Sequence, residues 1–517
     1  MQGRKQLQYK TFYSFCLDDC VPEDHYLRRI DRHLDLHFLY HQTLSCYGSQ
    51  GQKSIDPVVF FKMQLIGYLN NITADRALVR FCDDSLACRW FLGYDIDEAL
   101  PVHSTLSRTR ALFGEAVYEQ VFRQILGMCI DAGMVEGKRQ VVDSGLVKAY
   151  ASVDGMQRKA ILEDVSHYCR QAHQGNDDNN DDDAEDEGGS SSEANEDPAA
   201  TGANMTAVEL PDSQQNPKPP RRSNKTHFSP TDSDARLACK PGKPTDLYYH
   251  GHVCVDDAEC VIVAAGADYG DSQDHQALGW LIEQSLANLV PHRMRPKELL
   301  ADSHYNTVHT LRWCKLKSLT AYMPNPSGYK RHRDGFSYDR KADRYTCQMG
   351  KHLEFSHYQK TAGGRYYNKV YAAKTTDCNN CPMRQECLTS KKPYKSLTHS
   401  SGKHLYDEMY DRLCSGYGSW LQARRKGRVE PVLGTLLEYK GMKKTWARGK
   451  PAATKHLKMA SCAYNLNKWL KRFPNGLRQV VDATQKGAYE LGDIFYDAFW
   501  DYSTQLFNRS KPIHPLC

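Results

Sequence analysis

The sequence predicts an α+β protein in which a mixed sheet, partly of α/β character, is flanked by helices. Three observations predict this fold class. Residues 1–135 carry helix-start signals and helical apolar patterns, which indicates an all-helical N-terminal domain. Further on, YYHGHVCVD, CVIVAAGAD and KELLAD are typical of strands, and HQALGWLIEQSLANLV between them has helical periodicity. Four cysteines between residues 347 and 387 mark a cysteine-rich insertion.

The N-terminal helices can be placed from their capping residues. Asp56 followed by Pro57 predicts a helix start, because aspartate caps the first amides and proline fits the first turn. Ser85 can cap the helix LACRWFLGY in the same way. The segment PVHSTLSRTRALFG predicts a further helix with Arg108 and Arg110 on its exposed side. A helix-turn-helix-like DNA contact and a plain helical dimerisation bundle both fit this domain.

Length and composition exclude several classes of protein. With 517 residues the chain can form two or three domains, each with its own core. No apolar run approaches the roughly 18–20 residues of a membrane span, and the N-terminus has no apolar signal core. We therefore expect a cytoplasmic protein without a membrane partner. Its 18 cysteines are scattered through the chain, which favours reduced thiols and a metal site over disulfides.

The net charge of +6 conceals two oppositely charged segments. Residues 161–200 contain thirteen Asp or Glu and one Arg, and the surrounding segment 161–225 is predicted to be a disordered acidic insertion. It is either a tether, a flap that mimics DNA, or a tolerated surface loop. Residues 421–473 contain fourteen Lys or Arg and two Glu. Such a basic block indicates a nucleic-acid partner, unless it is only a solvated helix face.

Three acidic residues far apart in the chain are candidate metal ligands. Asp143 and Asp302 end the short apolar strands VVD and LLAD, and Glu430 lies where the basic block meets a helical pattern. Because Pro431 follows Glu430, a helix either begins at Pro431 or continues through it with a kink. Carboxylates from separate elements can hold two divalent ions about 3.5–4 Å apart for phosphoryl transfer. A strand-end aspartate alone is more often a cap, so this hypothesis requires all three residues to meet.

The insertion contains a candidate zinc site. The thiols of Cys378 and Cys381 have the Cys-x2-Cys spacing that fits two corners of a tetrahedral Zn²⁺, Cys387 adds a third ligand, and Cys347 a fourth. His352 or His357 could replace Cys347. A site of four protein ligands would brace the insertion and leave no position for catalysis. Free thiols or an iron–sulfur role are the alternatives.

Several motifs together resemble a known family. They are VVDSGLVKAYA, TDSDAR, YYHGHVCVDD, LLADSHYNT, RVEPVLGTLLEYKG and HLKMASCAYNLNKWL, in that order, within roughly residues 50–475. In these motifs the chain resembles the DDE transposases of bacterial insertion sequences. The resemblance implies a ribonuclease H-like core, and the order of strands and helices fits a mixed sheet flanked by helices. The expected segments are the DNA-binding or dimerisation domain (1–135), the core (136–160, 226–304 and 420–475), the acidic insertion (161–225), the cysteine-rich insertion (305–419) and the tail (476–517).

The resemblance also implies a function. Asp143, Asp302 and Glu430 would bind two Mg²⁺ (or Mn²⁺) ions for DNA cleavage and strand transfer at the ends of an insertion sequence. The expected partners are double-stranded DNA, both element ends and target, and a second copy of the chain, with the protein at the nucleoid. The candidate DNA-binding residues are basic: Arg424, Arg425, Lys426, Arg428, Lys440, Lys443 and Lys444, with Arg108 and Arg110 in the N-terminal domain.

The chain departs from the family pattern near Glu430. Where relatives carry a basic residue after the glutamate this chain has Leu437, and where some carry a tyrosine it has Ala423. Two alternatives therefore stay open. One is a transposase-derived DNA-binding protein with impaired catalysis, and the other is a metal-dependent nuclease without strand transfer.

Overall fold

A mixed six-stranded sheet lies at the centre of the computed structural model. The structure describes residues 15–48, 50, 54–159, 222–240, 242–361, 367–388 and 392–473. The predicted acidic insertion, apart from residues 222–225, and the predicted tail at 476–517 lie outside the described residues. The described strands are β1 (Arg139–Lys148), β2 (Gln157–Arg158), β3 (His227–Phe228), β4 (Arg236–Ala238), β5 (Asp246–Asp256), β6 (Ile262–Tyr269), β7 (Glu298–Leu300), β8 (Thr320–Tyr322), β9 (Phe336–Asp339), β10 (Arg344–Cys347), β11 (His352–Lys360), β12 (Tyr367–Ala373) and β13 (Ser396–Ser400).

The central sheet combines antiparallel and parallel pairing. Its order is β4-β5-β1-β7-β8, and β6 also pairs with β5. Strand β5 is antiparallel to β1, β4 and β6, whereas β1, β7 and β8 are mutually parallel neighbours. Strand β5 is buried along nearly its whole length, as expected for a strand covered on both faces. The predicted mixed sheet flanked by helices is thus confirmed at the level of fold class.

Helices surround this sheet and form the N-terminal region. They are α1 (Leu17–Cys20), α2 (Tyr26–Asp31), α3 (Phe38–Thr43), α4 (Pro57–Leu69), α5 (Asp75–Asp83), α6 (Leu86–Leu92), α7 (His103–Leu112), α8 (Glu115–Asp131), α9 (Asp274–Leu289), α10 (Val308–Leu316), α11 (Thr375–Asn379), α12 (Arg384–Cys387), α13 (Lys403–Cys414), α14 (Gly416–Tyr439) and α15 (Lys450–Arg472). Two predicted caps are present. Asp56 accepts from the amide of Val58 at 2.7 Å, and Ser85 accepts from that of Cys88 at 3.3 Å. In the described part of the chain, every helix is too short or too polar to cross a bilayer.

Helix α15 joins the N-terminal helices to the sheet. It packs on β6 and also against α4 and α8. The side chain of Asn465 binds the backbone of Ile262 on β6 through both of its polar atoms, at 2.9 and 2.8 Å. One apolar core therefore runs from the N-terminal helices through α15 into the sheet. The sequence HLKMASCAYNLNKWL forms the core helix that its apolar spacing predicts.

Helix α14 is continuous through Pro431. A helix beginning at Pro431, one of the two predicted alternatives, is therefore wrong. The helix packs along β1, where Leu433 and Leu437 lie beside Gly145. This contact fixes the helix against the strand that carries Asp143.

The cysteine-rich segment contains a second sheet. Its order is β13-β12-β11-β10-β9, and all described neighbours are antiparallel. Buried Tyr345, Leu353, Tyr371 and Leu397 form its small core. Helix α10 and strand β8, which also fall within the predicted insertion at 305–419, lie instead with the central sheet.

Candidate active site

The parallel register of β1 and β7 brings Asp143 and Asp302 together. Val141 pairs with Leu300, and each aspartate lies two residues beyond its paired residue. Because side chains alternate along a strand, a shift of two residues returns to the same face. Asp302, just beyond β7, therefore neighbours Asp143 on β1, and its charge acts on the Asp143 carboxyl.

The structure corrects one detail of the prediction for Asp143. This residue does not end a strand, because β5 pairs with β1 from Gln140 to Lys148 and keeps it extended. Asp302 does follow its strand and caps the single 3-10 turn Ser303–Tyr305.

The carboxyl of Asp143 is largely buried, with 17% of its side chain exposed. It accepts a hydrogen bond from the backbone of Ser144 at 2.8 Å. The pKa of Asp143 is raised to about 6. Burial is the largest cause, and the carboxylates of Asp302 and Asp274 act in the same direction, against the lowering effects of the Ser144 backbone hydrogen bond and of Arg425. A carboxyl whose neighbours oppose its ionisation is a common feature of metal-binding and catalytic sites.

A fourth acidic residue, Asp274, belongs to the same group. The ligand atoms of Asp274, Asp302 and His304 all lie within 4.8 Å of one another. His304 also donates to Asp302 from its backbone at 2.9 Å and from Nδ1 at 3.0 Å. Carboxylate oxygens are suitable ligands for Mg²⁺ or Mn²⁺.

Sequence reasoning missed Asp274. It lies in the first turn of α9, where an aspartate is ordinarily explained by the helix dipole. Its partners lie on strands β1 and β5. Ser144 Oγ donates to the Asp274 carboxylate, and His250 Nε2 lies 3.2 Å from it. Burial lowers the pKa of His250 and of its buried neighbour His252.

Glu430 reaches the group through Arg425, which also lies on α14. Arg425 Nη1 is 3.7 Å from Asp143 Oδ2, and Nη2 is 3.9 Å from Glu430 Oε1. The side chain of Glu430 is the most exposed of the three acids, at 56%. Arg425 thus lies near Asp143 and Glu430, and Asp302 neighbours Asp143. Among the described residues, the group of ligand atoms within 4.8 Å contains Asp302 but neither Asp143 nor Glu430.

Two of the predicted DNA-binding arginines pair with an acidic residue of the protein. Arg424 Nε donates to both carboxylate oxygens of Asp257, and Arg428 Nε lies 3.2 Å from the same carboxylate. Lys426 on the same helix is exposed. Of these three residues, Lys426 is therefore the one most available to a phosphate.

The lysines beyond α14 also differ from one another. Lys440 is buried and donates to the carbonyl of Leu69 at 3.0 Å, so it is not the exposed DNA contact that the sequence suggested. Burial lowers the pKa of Lys440 to about 8. Lys443 is exposed, and the ammonium of Lys444 lies 4.9 Å from the ring centre of Tyr150.

In the N-terminal domain, Arg108 is exposed as predicted, but Arg110 is not. Both terminal nitrogens of Arg110 bind Asp75, at 3.0 and 2.6 Å, in a largely buried pair. The expectation of two exposed arginines on α7 is therefore wrong for Arg110, because Asp75 on α5 holds it inside the domain.

The four candidate zinc ligands lie in one part of the second sheet. Cys347, Cys381 and Cys387 line a common cavity, and Cys378 packs with Cys347 against the sheet's small core. All four are free thiols. Among the described residues, the set of three potential ligands within 4.8 Å of one another is Asp274, Asp302 and His304. The cysteine sulfurs therefore lie farther apart than the atoms of this acidic group.

Comparison with protein families gives two matches. Residues 15–112 match the family described as Transposase domain (DUF772), and residues 346–470 match the family described as Transposase DDE domain. The second match contains Glu430 and the four cysteines, whereas Asp143 and Asp302 lie between the two matched regions. No curated protein sequence matches the chain.

Proposed function

We propose that the chain is a DDE transposase of an insertion sequence, which cleaves DNA at the ends of its element and transfers the strands to a target. The observation that carries this proposal is the β1–β7 register, which makes Asp302 a neighbour of Asp143. Arg425 links the same group to Glu430. We assign these three acids as the catalytic residues.

The strand arrangement supports a ribonuclease H-like core. Three antiparallel strands, β6, β5 and β1, continue into the parallel strands β7 and β8. Along the chain, α9 connects β6 to β7, and α10 connects β7 to β8. This is the order that the family resemblance implies, and in such open sheets ligand-binding residues collect at strand ends.

The family uses a divalent metal ion, and the residues present fit one. Asp143, Asp302 and Glu430 would hold two Mg²⁺ (or Mn²⁺) ions, with Asp274 and His304 close enough to assist. The described acidic side chains of this group outnumber its single arginine, so the site favours added positive charge. When bound, the ions would activate the nucleophile and stabilise the leaving oxygen.

The protein's own residues would bind and orient the DNA. Lys426, Lys443 and Lys444 lie along α14 and the segment after it, and their ammonium groups can contact backbone phosphates. Arg424 and Arg428 would act indirectly, because their pairing with Asp257 holds α14 in place. Two element ends must be held together, and we therefore propose a homodimer.

A zinc ion in the second sheet is a separate proposal. The shared cavity of three cysteines and the adjacent Cys378 support it. Four thiolates would hold the ion in a closed, structural site. The ion would brace β9–β13 and the short helices beside them.

A specific observation favours a second candidate function. Leu437 packs beside Gly145 of β1 and Ala423 is a small exposed residue, so neither offers DNA a polar group. The second candidate is a transposase-derived DNA-binding protein with impaired catalysis.

The test is a cleavage and joining assay. Purified wild type, Asp302→Asn and Asp271→Asn are incubated with Mg²⁺ and a duplex carrying the sequences that flank the gene. Asp271 is exposed and close to the site in sequence, which makes it a matched control. We expect cleaved and joined products from wild type and Asp271→Asn, and none from Asp302→Asn. Equal product from Asp302→Asn overturns the catalytic assignment, cleavage without joining indicates a nuclease, and DNA binding without any product supports the second candidate.

A further inference from the structure

Arg425 has an unusual environment for an arginine. It lies on the buried side of α14 and is only 9% exposed. Its guanidinium is placed between Asp143 on β1 and Glu430 on the same helix, at 3.7 and 3.9 Å. Asp302, just after β7, and Asp274, at the start of α9, lie near Asp143 and add to the negative charge around it. The guanidinium thus neutralises part of a concentrated negative charge.

These contacts are electrostatic and are too long for hydrogen bonds. Nη1 is fully buried and has no hydrogen-bond partner among the described residues. The adjacent Arg424, in contrast, donates to Asp257 at 2.9 and 2.8 Å. Burying a guanidinium nitrogen without an acceptor costs free energy. Arg425 is therefore held by the charge of the acids and not by directional bonds, which leaves it easy to displace.

We propose that Arg425 is a built-in counter-ion of the catalytic acids, which competes with divalent ions for Asp143 and Glu430 and moves to a DNA phosphate when the ions bind. The inference rests on the proposed function, because it takes these acids to be the metal ligands. A divalent ion and the guanidinium both need the same carboxylate oxygens. A displaced guanidinium next needs an anion, and a phosphate can accept two of its N–H groups at once.

This arrangement would couple metal binding to DNA binding. Without DNA, displacing Arg425 leaves a buried cation without a counter-charge, and metal affinity is low. With DNA, a phosphate receives the guanidinium and metal affinity rises. By linkage, metal ions raise DNA affinity by the same factor. The site would thus take up its ions mainly on a DNA substrate.

The first test measures Mn²⁺ affinity of the full-length protein without DNA, by titration calorimetry. The variants are Arg425→Gln, Arg425→Lys, and Lys471→Gln as a control that removes an exposed charge from α15. We expect Arg425→Gln to bind Mn²⁺ at least about tenfold more tightly, because removing a positive charge about 4 Å from the ligands removes a repulsion that exceeds the free energy of a tenfold change. Arg425→Lys keeps the charge and should stay close to wild type, as should Lys471→Gln, which removes a solvent-screened charge.

The direction in which Mn²⁺ affinity changes in Arg425→Gln distinguishes a counter-ion from a residue that only positions the acids. A counter-ion lowers metal affinity, whereas a residue that merely scaffolds the acids raises it. Unchanged or weaker Mn²⁺ binding by Arg425→Gln therefore overturns the inference. If this variant does not fold, tighter binding by Arg425→Met serves as the same test. Asp302→Asn separates the two proposals, because wild-type Mn²⁺ binding by that variant contradicts the metal assignment itself.

The second test repeats the titration with a duplex of the flanking sequence. We expect DNA to tighten Mn²⁺ binding by wild type about tenfold or more, and to change it little in Arg425→Gln, in the usual range of coupling between two sites. Equal coupling in both proteins overturns the link to DNA.

Discussion

Arg424 Nε lies 2.9 and 2.8 Å from the two carboxylate oxygens of Asp257. Asp257 is almost completely buried just after β5, and Arg139 and Arg428 also bind it. This carboxylate therefore ties α14 to the β5–β6 turn and to the start of β1. Part of the basic segment, which by sequence suggests DNA contacts, positions the helix that carries Glu430.

Replacing Asp257 by alanine should destabilise the fold. The change leaves three arginines without their shared counter-ion, and breaking a buried ion pair from one side typically costs about 3–5 kcal/mol. Urea unfolding monitored by circular dichroism measures the loss. The exposed Asp271→Ala is the control and should change the free energy of unfolding by less than about 0.5 kcal/mol. Similar stability of the two variants would contradict the anchoring role.

Asp274 should contribute to metal affinity although it lies outside the predicted triad. Its carboxylate is within 4.8 Å of the ligand atoms of Asp302 and His304. We expect Asp274→Asn to weaken Mn²⁺ binding by about 10–100-fold, the usual effect of removing a group that supports a metal ligand. Titration calorimetry of this variant beside Asp271→Asn checks the prediction, and identical affinities would exclude Asp274 from the site.

Lys440 should make stability depend on pH in the alkaline range. Burial lowers its pKa from the ordinary 10.5 to about 8, so between these values the unfolded chain binds more protons than the folded one. Stability contributed by this group therefore rises as pH increases from about 8 towards 10.5. Relative to Lys440→Met, wild type should gain roughly 2 kcal/mol between pH 7 and 9.5, as measured by denaturant unfolding.

The same variant tests the buried position of Lys440 against a DNA-binding role. Because its ammonium faces Leu69 and not solvent, Lys440→Met should keep wild-type affinity for the flanking duplex. Lys443→Gln should weaken that affinity, since Lys443 is exposed. A stability difference that does not vary with pH, or a loss of DNA affinity in Lys440→Met, would contradict the structure.

The second sheet should depend on its cysteines. If Cys347, Cys378, Cys381 and Cys387 hold zinc, the purified protein contains about one equivalent, and Cys378→Ser/Cys381→Ser contains almost none. Elemental analysis by mass spectrometry measures the content. Cys414→Ser, which changes an exposed thiol, is the control. Wild-type protein purified in zinc-containing medium yet free of zinc would contradict the site.

The features that could be predicted most accurately from the sequence depend on residues close together in the chain. Asp56 and Ser85 cap their helices as expected, because an N-cap depends on residues a few positions apart. The juxtaposition of Asp143 and Asp302 follows from the fold class, since parallel pairing of β1 and β7 brings corresponding positions of the two strands together.

Partnerships between distant residues could not be predicted in this way. Arg424 donates to Asp257, which is 167 positions away in the chain, and Arg110 donates to Asp75, which is 35 positions away. The full length of β1 was also missed, because Ser144 and Gly145 interrupt its apolar pattern and only pairing with β5 keeps them extended. Asp274 gave no local signal, because its relation to Asp302 exists only in the folded protein.

The central claim is that Asp143, Asp302 and Glu430 share one divalent-metal site. With added hydrogen peroxide and ascorbate, Fe²⁺ in place of Mg²⁺ reduces the peroxide to hydroxyl radicals that cut the backbone near the bound ion, and ascorbate regenerates Fe²⁺. Mass spectrometry locates the cuts in the full-length protein. We expect cuts near residues 143, 302 and 430, which excess Mg²⁺ suppresses and Asp302→Asn abolishes. Cuts confined to other parts of the chain, or cuts at these three positions that excess Mg²⁺ leaves unchanged, would contradict it.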